Sequence, residues 1–305
     1  MDTVYDVIVI GGGPAGLTAG IYTARHGLKT LVMEEKKIGG KPLEAHWVEN
    51  FPGFPEGLTG EALMKRFEAQ AARFSVEFKI ESVIGIGDIG GVKMVSTRHG
   101  YYQARSLIIS TGAQRQRLSV PGEGKFNGRG VSYCAICDGP FFEGKRVAVI
   151  GSGHEAVEDA MRLADVSSVV YAIPGSKGYS EEYPDLKRLR GSPRVEVLEG
   201  YDVVEIGGDG TVSYVKLEGE SEMRIDVDGV FIILEHFPTT NILSDAGIEI
   251  DEGGCIIVDR YQQTNIPGIF AAGDCTCSGT QIVTAAGDGG KAALSALMYV
   301  RSLEK

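Results

Sequence analysis

Two apolar runs in this chain end in clustered glycines and then open a helix. The first is Val7-Ile8-Val9-Ile10-Gly11-Gly12-Gly13, and the second is Val147-Ala148-Val149-Ile150-Gly151-Ser152-Gly153. Neither alternates apolar with polar residues, so each reads as a strand buried on both faces, as in a parallel sheet covered by helices. A parallel neighbour needs a crossover connection, and a helix is the usual one. The duplication therefore predicts two βαβ modules in one α/β chain. At 305 residues the chain is long enough for about two domains.

Periodicity supplies the rest of each module. A strand over residues 5–10, a helix over 16–26 and a strand over 29–33, closed by Glu34 and Glu35, form the first. Residues 60–74 form an amphipathic helix with Leu63, Met64, Phe67 and Ala71 at helical spacing, and strands are predicted over 82–89, 93–97, 103–105 and 107–110. The second module takes a strand over 146–150, a helix over 155–164 and a strand over 169–173, followed by strands over 195–199, 212–218 and 230–234. Gly268-Ile269-Phe270-Ala271-Ala272-Gly273-Asp274 is a strand running into a turn, and 284–302 a closing helix. The first module resumes after the second ends. The predicted domains are 1–115 with 245–305, and 116–244 between them.

Gly11-Gly12-Gly13-Pro14-Ala15-Gly16 satisfies G-x-G-x-x-G between a strand and a helix, the context the motif requires. Glycine lets the backbone turn tightly and approach a pyrophosphate, and the helix start offers free N–H groups to it. Glu34 or Glu35 stands near the spacing expected of an acid that accepts from a ribose hydroxyl. The second copy, Gly151-Ser152-Gly153-His154-Glu155-Ala156, is altered. Ala156 replaces the third glycine, and Glu155 repels a pyrophosphate if it faces the turn. The next strand runs out as Ala172-Ile173-Pro174-Gly175-Ser176, with neither an acid for the ribose of NAD nor an arginine pair for the 2′-phosphate of NADP. An altered ligand site and a scaffold without a ligand both remain open here.

Between the copies stands Tyr133-Cys134-Ala135-Ile136-Cys137-Asp138-Gly139. Five cysteines do not make a disulfide scaffold in a chain of this length, and a structural zinc site needs four ligands. Cys275-Thr276-Cys277 has the wrong spacing to complete one, so no metal is expected. A dithiol explains Cys134 and Cys137 better: one thiolate attacks and the other resolves the mixed disulfide. Asp138 is either the group that moves the proton this chemistry requires or a turn residue before Gly139. Cys275 and Cys277 read as a second redox pair or, more simply, as two small buried residues beside a turn.

A net charge of −11 opposes nucleic-acid binding, which relies on neutralising phosphates. Asp2 and Asp6 flank the start where an export signal would carry a basic segment. Residues 7–24 are uncharged but interrupted by Gly11, Gly12, Gly13, Pro14 and Gly16, so no membrane span is expected there and a cytoplasmic location is.

In these residues the chain resembles the low-molecular-weight thioredoxin reductases, and the likeness covers nearly its whole length. The matches are Gly11 to Gly16, Gly39-Gly40, Val48-Glu49-Asn50-Phe51-Pro52-Gly53, Ser110-Thr111-Gly112, Cys134 to Asp138 with Phe141-Phe142, Gly273-Asp274 and Thr284-Ala285-Ala286-Gly287-Asp288-Gly289. The resemblance implies an α/β fold of two Rossmann-like three-layer domains: a discontinuous FAD domain and an inserted pyridine-nucleotide-like domain carrying the dithiol. It implies a homodimer and a swivel presenting the dithiol to flavin and to a thioredoxin-like protein in turn. By position it assigns FAD to Gly11, Gly13, Gly16, Glu34, Gly40, Asn50, Thr111, Gly273, Asp274 and Gln281, with Pro14, Ala15, Glu35, Gly39, Gly112 and Ile282 beside them. It places Cys137 toward the flavin, gives Cys134 the attack on the partner disulfide, and makes Asp138 the acid/base.

The departures bear on the electron donor. Pro174-Gly175-Ser176 stands where the family has a basic stretch for the NADPH phosphate, Ser180 replaces a later arginine, and Thr280 replaces an arginine before Gln281. Lys177 alone keeps a positive charge there. This resembles archaeal and anaerobe members with another donor. Deazaflavin-dependent reductases share the look of Glu44-Ala45 ahead of Val48, and ferredoxin-driven relatives are a second possibility, needing a local basic patch to dock. The expected function is FAD-dependent protein disulfide reduction with a deazaflavin coenzyme or ferredoxin favoured as donor. NADPH use through atypical contacts and a flavin redox sensor without turnover are the rivals.

Overall fold

The first strand, β1 (Val4–Ile10), divides its side chains between two cores. Val7 and Val9 enter one cluster with helices α1 (Pro14–Arg25), α2 (Gly60–Arg73) and α6 (Ile282–Ser302), while Ile8 and Ile10 enter another on the opposite face. Val7, Ile8 and Val9 are fully buried, each worth about 1.5–3 kcal/mol against exposure. That is why the run shows no alternation. The computed structural model describes residues 4–234, 236–238, 243 and 246–304.

The chain divides into two units, Met1–Gln114 with Phe237–Lys305, and Arg115–His236. In the first, β1 pairs in parallel with β2 (Thr30–Glu34) and β6 (Gly100–Ile109), and β3 (Glu77–Ile80) extends the sheet beyond β2. β4 (Val83–Ile89) and β5 (Val92–Thr97) add an antiparallel flank, giving the order β3-β2-β1-β6-β5-β4. Sequence spacing suggests two strands where β6 is continuous. Its outer edge is shared instead: Gly100 to Ala104 pair with β5, and Leu107 to Ile109 pair in parallel with β17 (Ile269–Ala271). Buried Ser106 marks the change, its hydroxyl donating to the Gly268 carbonyl at 2.9 Å. Small residues let α6 lie against α1, and a Cβ added at Gly289 would stand 2.1 Å from the Ala15 carbonyl oxygen.

The chain leaves this unit through β7 (Ala113–Arg115) and returns through β16 (His236–Pro238). The expected return at 244/245 lies outside the described residues. In the second unit, β8 (Val131–Ser132), β9 (Arg146–Ile150), β10 (Val169–Ile173), β11 (Val195–Val197) and β15 (Gly229–Ile232) form a parallel sheet ordered β11-β10-β9-β15-β8. β9 repeats the logic of β1. Val147 and Val149 pack toward α4 (His154–Val166) and α5 (Leu186–Gly191), whereas Ala148 and Ile150 pack toward the antiparallel meander β12 (Asp202–Gly207), β13 (Tyr214–Glu218) and β14 (Met223–Asp226). A single-turn helix, α3 (Ala135–Asp138), carries the dithiol. No helix among the described residues is long and apolar enough to cross a membrane.

Candidate functional site

The first glycine turn is fixed by contacts that only glycine permits. A Cβ at Gly11 (φ +109°) would stand 2.1 Å from the Ser110 carbonyl oxygen, and one at Gly16 would stand 1.9 Å from that of Gly11. The Ser110 hydroxyl ties β6 to this turn, donating to Ile10 O at 3.0 Å and Gly11 O at 3.1 Å. Helix α1 starts at Pro14 after Gly13, with no side-chain cap and no acid in its first turn. Its free N–H groups and partial positive charge therefore suit an anion. Glu34 faces the turn, accepting from Gly12 N–H at 2.8 Å and from Lys36 N–H at 3.1 Å, while Glu35 is exposed.

Distant segments converge on the same place. Gly39 N–H donates to Gly12 O at 2.8 Å, and a Cβ at Gly40 (φ +65°) would lie 3.0 Å from Gly13 Cα. Gly273 (φ +80°) lies against the helix start, where a Cβ would meet Ala15 Cβ at 3.0 Å. Asp274 follows it and forms a 3.5 Å ion pair with Lys41. Asn50 Nδ2 donates to Gln281 Oε1 at 3.2 Å, and Ile282 packs on the cluster of Val48, Leu58 and Leu63. Thr111 and Gly112 (φ +70°) continue from the end of β6. An uncapped helix start, close-approach glycines and a carboxylate at the end of β2 fit the diphosphate and ribose of an FAD-type dinucleotide. Ser110 enters the sequence reading only within the Ser110-Thr111-Gly112 match and with no role assigned, and Lys41 not at all, although its place directly after Gly39-Gly40 is the available signal.

In the second unit Cys134 and Cys137 are joined as a disulfide with Cα atoms 5.3 Å apart. Cys134 is the N-cap of α3, and its Sγ accepts from Cys137 N–H at 3.2 Å. Buried Ser132 organises the loop: its hydroxyl donates to Asp138 Oδ2 at 2.6 Å and accepts from Cys134 N–H at 3.1 Å. Asp138 N–H closes the turn onto Cys134 O at 3.1 Å. Beneath α3, buried Asp159 of α4 accepts from Ala135 N–H and pairs with Arg162 at 2.8 Å. Burial pushes its carboxyl above the ordinary range, and those two partners oppose the shift. Phe142 packs edge-on against Phe231 at 5.1 Å between ring centres, whereas Phe141 and Ile136 are exposed. Ser132 and Asp159 carry no sequence motif and were missed for that reason.

The second glycine turn keeps its backbone role, since a Cβ at Gly151 would stand 1.9 Å from Ile233 O. Its surroundings differ from those of the first. Glu155 occupies the first turn of α4 and is exposed. A cavity of about 210 Å³ is lined by Ser152, Gly153, Gly175, Ser176, Lys177 and Asp202 among others. Asp202 Oδ1 accepts from Ser176 N–H at 2.9 Å, so the amide after β10 is held by the protein's own carboxylate. Elsewhere His154 stands with Glu158 and Asp185, one ligand-type atom of each within 4.8 Å, at an exposed corner where carboxylates often gather without an ion. The reading of Cys275 and Cys277 as two buried residues needs correction. Only Cys275 is buried, its thiol pushed up to about 12 by desolvation, while exposed Cys277 is disulfide-bonded to Cys255.

The family model described as pyridine nucleotide-disulphide oxidoreductase matches residues 5–290. The thioredoxin reductase of Listeria innocua is 38% identical over 309 residues, covering 100% of this chain and 96% of that protein. The solved thioredoxin reductase of Streptococcus pyogenes superposes with a TM-score of 0.94 at 35% identity, covering 99% of this chain and 100% of that one. A ferredoxin-flavin thioredoxin reductase from Clostridium acetobutylicum aligns with a TM-score of 0.56 at 31% identity, over 99% of each chain. With the flavin-type cradle and the Cys134–Cys137 disulfide, these matches identify the chain as a flavin-dependent oxidoreductase belonging to the pyridine nucleotide-disulphide oxidoreductase family, in its thioredoxin reductase branch.

Proposed function

We propose that this protein reduces the disulfide of a thioredoxin-like protein, drawing electrons from a low-potential donor other than NADPH. The observation that carries the disulfide chemistry is the capping of Cys134 Sγ by Cys137 N–H at 3.2 Å. An N–H aimed at sulfur from a helix start favours the thiolate, the attacking form. FAD held by the cradle residues would supply the electron pair needed to open the Cys134–Cys137 bond. The Cys134 thiolate then attacks one sulfur of the partner disulfide, forming a mixed disulfide and releasing the other partner sulfur as a thiolate. Cys137 attacks Cys134 Sγ, re-forms the enzyme disulfide and releases the second partner thiolate. The two protons lost by the enzyme dithiol end on the partner thiols. Asp138, oriented by Ser132 at 2.6 Å, is the group we assign to moving one of them. Residues around Gly11 to Gly16, Glu34, Gly40, Asp274 and Gln281 are assigned to FAD.

The donor reading rests on Asp202. A 2′-phosphate seeking the amide of Ser176 meets a carboxylate already hydrogen-bonded there, with Lys177 as the cation in that lining. A reduced deazaflavin coenzyme or reduced ferredoxin is favoured; the name of the C. acetobutylicum relative couples ferredoxin to flavin in a chain that aligns end to end with this one. We place the protein in the cytoplasm as a homodimer, with Leu294 and Met298, one turn apart on α6, exposed for a partner.

Anaerobic mixing of the purified flavoprotein with NADPH, NADH, reduced deazaflavin or reduced ferredoxin tests the donor directly. Flavin bleaching by one of the last two is expected. Saturable NADPH oxidation with a micromolar-range KM refutes the donor assignment while leaving the disulfide chemistry intact. Cys134→Ser is expected to abolish reduction of a thioredoxin-like substrate, and Cys137→Ser to trap the mixed disulfide. Retained turnover in either variant refutes the dithiol mechanism.

A further inference from the structure

A second disulfide stands in the first unit, far in sequence from the catalytic pair. We infer that Cys255–Cys277 is a redox-active site, opened by a protein or small-molecule dithiol, that controls how firmly the FAD cradle is held. It joins residues 22 apart, and the enclosed segment carries β17, Gly273 and Asp274. Its two sulfurs differ in access: Cys255 is buried at 8% exposure, whereas Cys277 is exposed. An incoming thiolate therefore reaches Cys277 Sγ. That attack forms a mixed disulfide at Cys277 and expels Cys255 as a thiolate. The attacker's second thiol then closes on its own sulfur and releases Cys277. One dithiol becomes one disulfide, two electrons pass to the protein, and both released thiolates take up protons. Cys275 lies between them in the chain but stays outside the exchange, because its buried thiol donates to the Ile109 and Ala272 carbonyls.

Geometry couples this bond to the cradle. Cys277 has left-handed backbone (φ +54°), a conformation that a side chain other than glycine adopts only when its surroundings enforce it. Hydrogen bonds also hold this turn: Ser278 bridges the Thr276 hydroxyl at 3.1 Å and Asp288, and the Thr284 hydroxyl donates to Gly279 O at 2.7 Å. Ile256 N–H reaches Cys275 O at 2.9 Å, Cys277 N–H reaches Asp274 O at 3.2 Å, and the Thr276 hydroxyl reaches Gly273 O at 2.9 Å. Residues 277–280 are exposed, and the next, Gln281, is the N-cap of α6 and the partner of Asn50. Opening the disulfide therefore frees a strained residue between Asp274 on one side and Gln281 on the other. The cradle loses preorganisation at both, and FAD is expected to bind more weakly by about tenfold.

The test uses the full-length flavoprotein with Cys134→Ser and Cys137→Ser, so that only the second pair titrates. Air-oxidised protein is equilibrated with dithiothreitol at graded oxidised-to-reduced ratios. Thiols are then tagged with a maleimide, peptides containing Cys255 and Cys277 are weighed, and released FAD is measured by ultrafiltration. The expected result is one two-electron transition of the pair, with FAD released along the same curve. Two variants probe the coupling: Cys255→Ser breaks the bond and leaves the strained residue, while Cys277→Gly breaks it and removes the strain. Both are expected to hold FAD about tenfold more weakly at every ratio. The inference is overturned if both cysteines are tagged before any reduction, or if FAD retention is equal in the oxidised and reduced states.

Discussion

The proposed exclusion of NADPH admits a direct reversal. Asp202→Asn with Ser176→Arg removes the carboxylate from the amide after β10 and adds a guanidinium beside it. Asparagine keeps an oxygen to accept from Ser176 N–H, the 2.9 Å bond that shapes the turn, so the change is mainly one of charge. A phosphate competing for that amide sits within about 5 Å of the carboxylate. Two unit charges at that distance repel by about 1 kcal/mol in a solvent-exposed setting. A charge-assisted hydrogen bond from the new arginine adds about 1.5–3 kcal/mol. The sum, about 3 kcal/mol, corresponds to roughly 10²-fold tighter NADPH binding. Position 176 is the place for the arginine, because Gly175 has φ +79° and a Cβ there would meet Asp202 Oδ1 at 2.8 Å. Anaerobic calorimetric titration with NADPH and NADH reads the result. The gain should be confined to NADPH, since NADH has no 2′-phosphate, and should shrink as salt rises. Equal gains for both nucleotides, or micromolar NADPH binding by the unaltered protein, refute the account of Asp202.

Ser132→Ala removes the donor to Asp138 and the acceptor for Cys134 N–H; a loss of about 1–3 kcal/mol in chemical denaturation is expected, with a shifted pH profile of disulfide reduction. Because the folded-state pKa of Asp159 is raised, its contribution to stability is fully present below the unfolded value near 4 and is lost as pH rises through the folded value. Asp159→Asn should remove that pH dependence, so that the variant gains relative to the unaltered protein as pH climbs from 4 through the shifted value; melting curves across that window check it, and parallel curves refute it. Gly16→Ala places a methyl 1.9 Å from Gly11 O, so flavin content after purification should fall to a small fraction, whereas Ala156→Gly, at the matching position of the second turn, should leave it unchanged.

Much of this architecture is legible in the sequence because its signals are local. An unbroken apolar strand, a glycine turn and a helix announce themselves within thirty-odd residues, and β1–α1–β2 and β9–α4–β10 fall close to their predicted spans. β3, β12, β14 and α5 were not anticipated, because edge strands and a short helix are half exposed and take their identity from neighbours rather than from periodicity. The single strand β6 reads as two because its edge changes partner at Ser106, a tertiary event. Within the site, the cysteines and glycines carry motifs, whereas Ser132, Asp159, Asp202 and Lys41 act through contacts made by folding. The Cys255–Cys277 bond is the extreme case, since spacing along the chain drew attention to Cys275 and Cys277 and the fold paired one of them elsewhere.

The two glycine turns share one backbone geometry and differ in the charges that stand at the helix N-terminus. In both, the first glycine is held by a carbonyl within 2.1 Å of where a Cβ would stand, so the turn itself survives in each copy. At the first copy the helix start has no acid in its opening turn, and Glu34 sits back, bonded to Gly12 N–H, with the approach over Gly13 open. At the second copy Glu155 enters the opening turn and Asp202 takes the amide after β10. Two negative charges near a helix start partly cancel the field that draws in a pyrophosphate. A backbone kept under strict steric constraint while its electrostatics change is what the proposed donor assignment requires of a module that still holds α3 and its dithiol in place, through Asp159 on the same α4.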